Sequence, residues 1–228
     1  MSAVRLVCLS DTHDSHRDLT VPDGDILVHA GDFTKRGRER EVREFGEWLA
    51  ELPHEHKLVV PGNHDFLCER DPEHARALLG DVHYLDGTTD AIEAAGLRCW
   101  GSPLQPWFHD WAFNRPRGAV LADHWRRAPA SLDVLVTHTP PMGCLDRTRH
   151  SEAVGCADLA RELDRIDPRL HVFGHIHEDR GTLRDSSGRL SVNACNCDLS
   201  YRAVHPAVVV RFEDGRAEIE RSPREAGR

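Results

Sequence analysis

Short apolar runs alternate with longer amphipathic stretches along this chain. The run 4–9, Val-Arg-Leu-Val-Cys-Leu, reads as a strand, and so do 25–29, 57–60, 82–85, 133–137 and 170–173. Helix patterns lie between them. Over 38–52, Val42, Phe45, Leu49 and Leu52 recur at spacings of three, four and three, one apolar stripe opposite a face of Glu and Arg. Residues 72–79, 120–128 and 156–166 predict further helices, the last with Leu159, Leu163 and Ile166 on one face. Residues 91–100 predict a hairpin turning at Gly96. From Gly181 onward the pattern becomes short alternating runs, 190–194, 207–212 and 217–219, separated by Ser187-Gly188 and Asp214-Gly215, which are antiparallel hairpin signals. Strands joined by helical crossovers predict an α/β fold around a largely parallel sheet. The length suits one domain over 1–228, with 222–228 a frayed tail.

The residues that follow the strands are unusual. The 57–60 strand runs into Pro61-Gly62-Asn63-His64-Asp65, the first strand into Ser10-Asp11-Thr12-His13, and the second, through Ala30-Gly31, into Asp32. Strand 133–137 ends at His138 before Thr139-Pro140-Pro141, and strand 170–173 at Gly174-His175-Ile176-His177. Any one of these is an ordinary polar turn. Their repetition after apolar runs is not, because stability gains nothing from aligning acids and imidazoles, whereas ligand sites of parallel sheets gather at strand carboxyl ends. Asp11 and His13 are two apart, as are His175 and His177, so an extended backbone would point each pair one way. Two aspartates (Asp11, Asp32), four histidines (His13, His138, His175, His177) and Asn63 are too many ligands for one tetrahedral zinc but suit two metals sharing a carboxylate. The mixed donor set favours Mn, Fe or Zn over Mg or Ca.

Composition narrows the classes. The chain is 39% hydrophobic and 29% charged, enough apolar material for a core, with no run of membrane-spanning length. A net charge of −9 argues against a duplex nucleic-acid partner. The N-terminus enters a strand directly, which predicts no signal peptide and a cytoplasmic location. The seven cysteines are scattered and read as reduced thiols, with Cys195 and Cys197 on one face of a strand. Of the sixteen histidines, His54 and His56 flank a turn and are expected to face solvent. The proline-rich loop 101–118 carries Trp107, Phe108, Trp111 and Phe113, and leaves two readings open: a rim over a site, or aromatics packed on the body.

The ordered set Asp-x-His, Gly-Asp, Gly-Asn-His-Asp, His and Gly-His-x-His resembles the calcineurin-like metallophosphoesterase superfamily over roughly residues 4–193. The segments Pro22-Asp-Gly-Asp25, His29-Ala-Gly-Asp-Phe-Thr34, Gly101-Ser-Pro103 with Pro106-Trp-Phe108, Phe113-Asn-x-Pro-Arg-Gly118 and His171-Val-Phe-Gly-His-Ile-His-Glu178 are similar to its metallophosphoesterase-domain-containing (MPPED-type) subgroup, whose members include cyclic-nucleotide phosphodiesterases. The resemblance implies a β-sandwich of mixed sheets flanked by helices, with a dinuclear metal site at strand carboxyl ends. It implies Asp11, His13 and His177 on one metal, Asn63, His138 and His175 on the other, and Asp32 between them. Some subgroup members have Gly in place of His175, so retention of the histidine favours an active enzyme. His64, oriented by Asp65, would be the catalytic acid and stabilise phosphoryl charge. The implied activity is metal-dependent hydrolysis of small phosphodiesters, cyclic nucleotides among them, by a metal-bridging hydroxide, with manganese first among the metals. A base would stack on the aromatic loop. The alternatives are a phosphomonoesterase or protein phosphatase on the same ligands, and a non-enzymatic metal- and nucleotide-binding protein.

Overall fold

The computed structural model describes residues 3–88 and 90–220. The predicted tail at 222–228 lies outside the described residues. The strands, numbered in chain order, are β1 (Val4–Leu9), β2 (Ile26–His29), β3 (His56–Val59), β4 (His83–Tyr84), β5 (Ile92–Ala94), β6 (Leu97–Ser102), β7 (Gln105–Pro106), β8 (Asn114–Arg115), β9 (Val134–Thr137), β10 (Leu170–Phe173), β11 (Gly181–Arg184), β12 (Leu190–Asn193), β13 (Val208–Glu213) and β14 (Arg216–Ile219). The α-helices are α1 (Glu39–Glu51), α2 (Phe66–Arg70), α3 (Pro72–Leu79), α4 (Ala119–Arg127) and α5 (Ala157–Ile166).

Two six-stranded sheets form, in the orders β14-β13-β1-β2-β3-β4 and β11-β12-β10-β9-β6-β5. Each has a parallel centre: β1 through β4 in one, β12, β10, β9 and β6 in the other. Each is closed by antiparallel strands, the hairpin β13–β14 on one sheet and β11 and β5 on the edges of the other. The sheets are therefore mixed. The tail does supply antiparallel hairpins, but β12 also joins β10 in parallel, which brings residues 193–198 to the same end of the sandwich as the loop after β10.

Sequence alternation sorts the strands between layers. Leu6 and Cys8 of β1, Ile26 and Val28 of β2, Val134 and Val136 of β9 and Leu170 and Val172 of β10 fill the space between the sheets. Their neighbours Val7, Leu9, Leu27 and Val59 face outward onto α1 and α3. Leu135 and Trp100 face α4 and α5. With both faces covered, the central strands carry continuous apolar runs. The α1 stripe packs as its spacing requires: Phe45 stacks on Phe33 at 4.4 Å, and full burial of such a ring contributes about 1.5–3 kcal/mol. At α5, Cys156 caps the start by accepting from the Leu159 amide, and Asp167 ends the helix in the left-handed region.

Two local expectations are corrected. His54 is buried rather than solvent-facing, because its ring lies beside Gly24 and bonds the Pro22 carbonyl through Nε2 at 3.1 Å. Cys195 and Cys197 lie beyond the end of β12, in an extended segment making isolated bridges to Ser10 and Ala203. All seven cysteines are free thiols. Among the described residues no helix is long and apolar enough to cross a membrane.

Candidate dinuclear metal centre

The parallel strands of both sheets end at one pole of the sandwich, and every predicted ligand arrives there. One sheet delivers Asp11, His13, Asp32 and Asn63; the other delivers His138, His175 and His177. Asp32 faces both sides. Its Oδ2 lies 3.8 Å from His13 Nε2 and 3.9 Å from His64 Nε2, while its Oδ1 lies 3.5 Å from His138 Nε2. On one side His13 Nε2 and His177 Nε2 stand 3.3 Å apart, with Asp11 Oδ1 3.3 Å from His177. On the other, Asn63 Oδ1 is 2.9 Å from His138 Nε2, and the His138 and His175 rings lie 5.0 Å apart.

The chain does not reach this geometry by staying extended. Asp11 (φ 53°), His13 (φ 41°), Asp32 (φ 56°) and His175 (φ 71°) all occupy the left-handed region. Such backbone is costly for residues with a side chain and persists where surrounding structure enforces it, commonly at functional sites. The paired directions expected of Asp11/His13 and His175/His177 thus arise from turns, not from strand alternation. Two glycines permit the crowding. Gly31, at φ 104°, would drive a Cβ into the His138 ring, and a Cβ on Gly174 would collide with the Asp11 carboxylate and the Ser10 hydroxyl.

Backbone carbonyls aim the imidazoles. Nδ1 of His13 faces the Thr34 carbonyl at 3.3 Å, that of His138 the Ala30 carbonyl at 2.9 Å, and that of His177 the Asp198 carbonyl at 3.1 Å. Each ring thereby donates from Nδ1 and turns Nε2 inward, the arrangement that fixes tautomers at metal sites. Asp11 is aimed in the same way. Its Oδ2 accepts from the Ser10 hydroxyl (2.6 Å), the His175 amide (2.9 Å) and the Cys195 thiol (3.1 Å), which turns Oδ1 toward His177.

Charge in this pocket is balanced by histidine protons rather than by lysine or arginine. Burial opposes ionisation of Asp32, but His138, His64 and His13 outweigh it and hold the carboxyl well below its usual range. Burial likewise would lower His138 and His177, yet Asp32 at the first and Asp11 at the second raise both to about 9. His13 and His175, dominated by burial, fall to about 4 and about 3. Protons on the inward nitrogens therefore stand where cations would, and metal binding would displace them. Two groups of borderline nitrogen and oxygen donors around one shared carboxylate fit a pair of divalent cations.

Asp65 takes a different part from the one expected. It does not touch the His64 imidazole. Its carboxylate accepts from the amides of Gly62 (2.7 Å), Asp32 (3.0 Å) and Thr34 (2.9 Å) and from the Thr34 hydroxyl (2.7 Å), so its capacity is spent tying the Asp32 and Asn63 loops together. Burial and the Asp32 charge push it up to about 7 against those donors. His64 is oriented instead by the Lys35 carbonyl, 2.8 Å from Nδ1, and by Trp111, stacked at 4.3 Å. Its Nε2 is thereby left facing the site.

Three groups after residue 193 belong to the site without any motif to announce them. The Asp198 carbonyl holds His177, the Cys195 thiol holds Asp11, and Tyr201, itself left-handed at φ 57°, lays its ring 4.4 Å from His13. Burial raises the Tyr201 hydroxyl above its usual value. The 101–118 loop splits between its two readings. Asn114 ties the loop shut by donating to the Phe108 and His109 carbonyls, and Phe113 is buried in the core. Phe108 and Trp111, with Leu199 and Tyr201, wall a cleft of about 180 Å³ over Asp32, Asn63, His175 and His177; Trp107 is 59% exposed and does not line it.

Comparison with known proteins agrees with this geometry. A family model for calcineurin-like phosphoesterases matches residues 4–179. The chain is 39% identical over 231 residues to metallophosphoesterase domain-containing protein 1 of Homo sapiens, spanning 90% of this chain and 70% of that one. Its fold is similar to the crystal structure of TT1561 of Thermus thermophilus (TM-score 0.58, 14% identity, 96% of this chain and 99% of that one). It is also similar to that of the phosphopantetheinyl hydrolase PptH from Mycobacterium tuberculosis (TM-score 0.52, 17% identity, 83% and 88%).

Proposed function

The chain belongs to the calcineurin-like phosphoesterase family, within its metallophosphoesterase-domain-containing subgroup, and from that premise we propose that this metal-dependent phosphoesterase is a phosphodiesterase acting on small diesters, cyclic nucleotides among them. The observation that carries the reading is the narrow aromatic cleft, about 180 Å³, set directly over the shared Asp32. It has room for a phosphoryl group and a flat organic substituent, and little for a protein surface.

Asp11, His13 and His177 would hold one cation, Asn63, His138 and His175 the other, with Asp32 shared. Bound divalent cations would make water acidic enough to attack near neutral pH and would draw charge from phosphorus, and manganese is the first to test. The chain's own groups do the rest. His64, held on the Lys35 carbonyl and against Trp111, faces Asp32 with Nε2 and can pass its proton to the leaving oxygen. An alkyl ester needs that proton because its leaving group is an alcohol. Asp65 keeps the Asp32 and Asn63 loops in register. Phe108, Trp111 and Tyr201 exclude water and offer a base flat surfaces, which moves the stacking role away from Trp107 and Phe113.

The test is to strip the protein with a chelator, reload it with Mn²⁺, and compare bis(p-nitrophenyl) phosphate with p-nitrophenyl phosphate. The expected result is metal-restored turnover favouring the diester. A monoester preference would overturn the diesterase assignment. Absence of turnover on both, with metal bound, would favour a binding protein.

A further inference from the structure

The ridge formed by His64, Trp111 and Tyr201 has two sides. One is the cleft over the metal ligands; the other is a wider recess of about 800 Å³ that shares those three residues. Lys35 and Arg36 line the recess, together with Phe66 and one acid, Asp110. Lysine is rare here: the other, Lys57, is bonded to the His54 carbonyl. No salt bridge engages Lys35 or Arg36 among the described residues, although Asp14 is near enough for the Lys35 charge to favour its ionisation. In a chain of net charge −9, two exposed cations without a salt bridge stand beside the candidate acid.

His64 fixes which part of a substrate enters the recess. Its ring nitrogen faces Asp32 at 3.9 Å on one side, while its neighbour Lys35 reaches into the recess on the other. The oxygen that receives the His64 proton is the leaving oxygen, so the alcohol attached to it lies at the ridge that borders the recess of Lys35 and Arg36. We propose that the preferred substrate is a phosphodiester whose leaving alcohol carries a second phosphate, bound by Lys35 and Arg36. This rests on the phosphodiesterase reading and narrows it. Water adds to phosphorus and releases a proton to solvent, the bond from phosphorus to that alcohol breaks, and the alcohol departs with its own phosphate intact and the His64 proton, which solvent then restores. A simple cyclic nucleotide has one phosphate and leaves the recess without an anion.

The test uses the metal-loaded full chain and three dinucleotides, ApA, pApA and ApAp. Product identity shows which nucleoside leaves. The phosphate placed on the leaving nucleoside should raise kcat/KM about tenfold over ApA, as a charge-assisted contact at an accessible site does, and the phosphate on the other nucleoside should not. The ratio should fall toward one in Lys35→Gln/Arg36→Gln and, in the unmodified chain, at high salt. Equal rates on all three, or an undiminished ratio in the double variant, would overturn the proposal. Binding gives a second readout that needs no turnover. Quenching of tryptophan fluorescence should report tighter binding of adenosine 3′,5′-bisphosphate than of adenosine 5′-phosphate, with the difference lost in the double variant. Diester turnover without that difference sinks the second-phosphate site alone. The difference without diester turnover supports the site and sinks the diesterase reading.

Discussion

The two ends of the sandwich handle charge in opposite ways. Where the parallel strands begin, arginines pair with acids in water: Arg5 with Glu220 at 2.9 Å, Arg184 with Glu218 at 2.9 Å, Arg169 with Asp133 at 3.5 Å, all with substantially exposed side chains. Where the strands end, Asp11, Asp32, His13 and His138 are enclosed, and no lysine or arginine pairs with either carboxylate among the described residues. The first end balances its charges internally and gains little from each pair. The second balances them with histidine protons, an arrangement that divalent cations complete.

Several substitutions can break or sharpen that contrast. The largest effect should come from Asp32→Asn, which removes the carboxylate that both ligand groups face. Turnover of the nitrophenyl diester should fall about 10³-fold or more, the scale of losing transition-state charge stabilisation, and metal content should fall with it. Unchanged metal content and rate would remove Asp32 from the centre. Next, His64→Ala should slow alkyl diesters about 10²–10⁴-fold while slowing nitrophenyl esters much less, since nitrophenolate leaves without a proton. Equal losses on both would take His64 out of the acid role. Gly174→Ala, which presses a methyl onto the Asp11 carboxylate, should weaken metal affinity about 10–100-fold, as disturbing the groups around metal ligands does; competition with a chromogenic chelator reads it directly.

A smaller effect concerns pH. His171 is wholly buried, bonded to the Thr137 hydroxyl, and pushed down to about 3 by burial. Its folded pKa lies below its unfolded value of about 6.5, so the unfolded chain takes up the extra proton as pH falls. Proton uptake at this histidine therefore costs the fold nothing above that value. Below it, stability drops by about 1.4 kcal/mol per unit until the folded pKa is reached. His171→Gln should lack that slope, and urea titrations of both chains between pH 7 and pH 4 should converge or cross. Parallel curves would place His171 in contact with water. The smallest effect belongs to the opposite pole: Glu218→Gln, breaking the exposed pair with Arg184, should change unfolding free energy by less than about 1 kcal/mol.

The parts of this molecule that follow from local pattern were readable in its sequence. The α1 stripe, the helix Pro72–Leu79, the strand Leu170–Phe173 and the hairpin at Gly96 form where spacing and turn residues place them. The seven predicted ligands converge because each lies within about four residues of a strand's carboxyl end. The extended backbone expected for two pairs of them does not form: Asp11, His13 and His175 are left-handed, a conformation enriched at Asp and His but not fixed by residue type. Asp65 read as a partner of His64, whereas three donors from the distant 32–34 turn and the Gly62 amide of its own turn claim its oxygens. Tyr201, Asp198 and Cys195 reach the site only because β12 runs parallel to β10 and carries the following segment past the end of β1. That is a property of sheet order, which no local pattern reveals.

The most direct test of the central claim is anomalous diffraction from crystals of the protein loaded with Mn²⁺. Two peaks about 3.5–4 Å apart are expected, with Asp32 between them, His13 and His177 against one and Asn63, His138 and His175 against the other. A single peak, or peaks away from Asp32, would contradict a dinuclear centre at the strand ends.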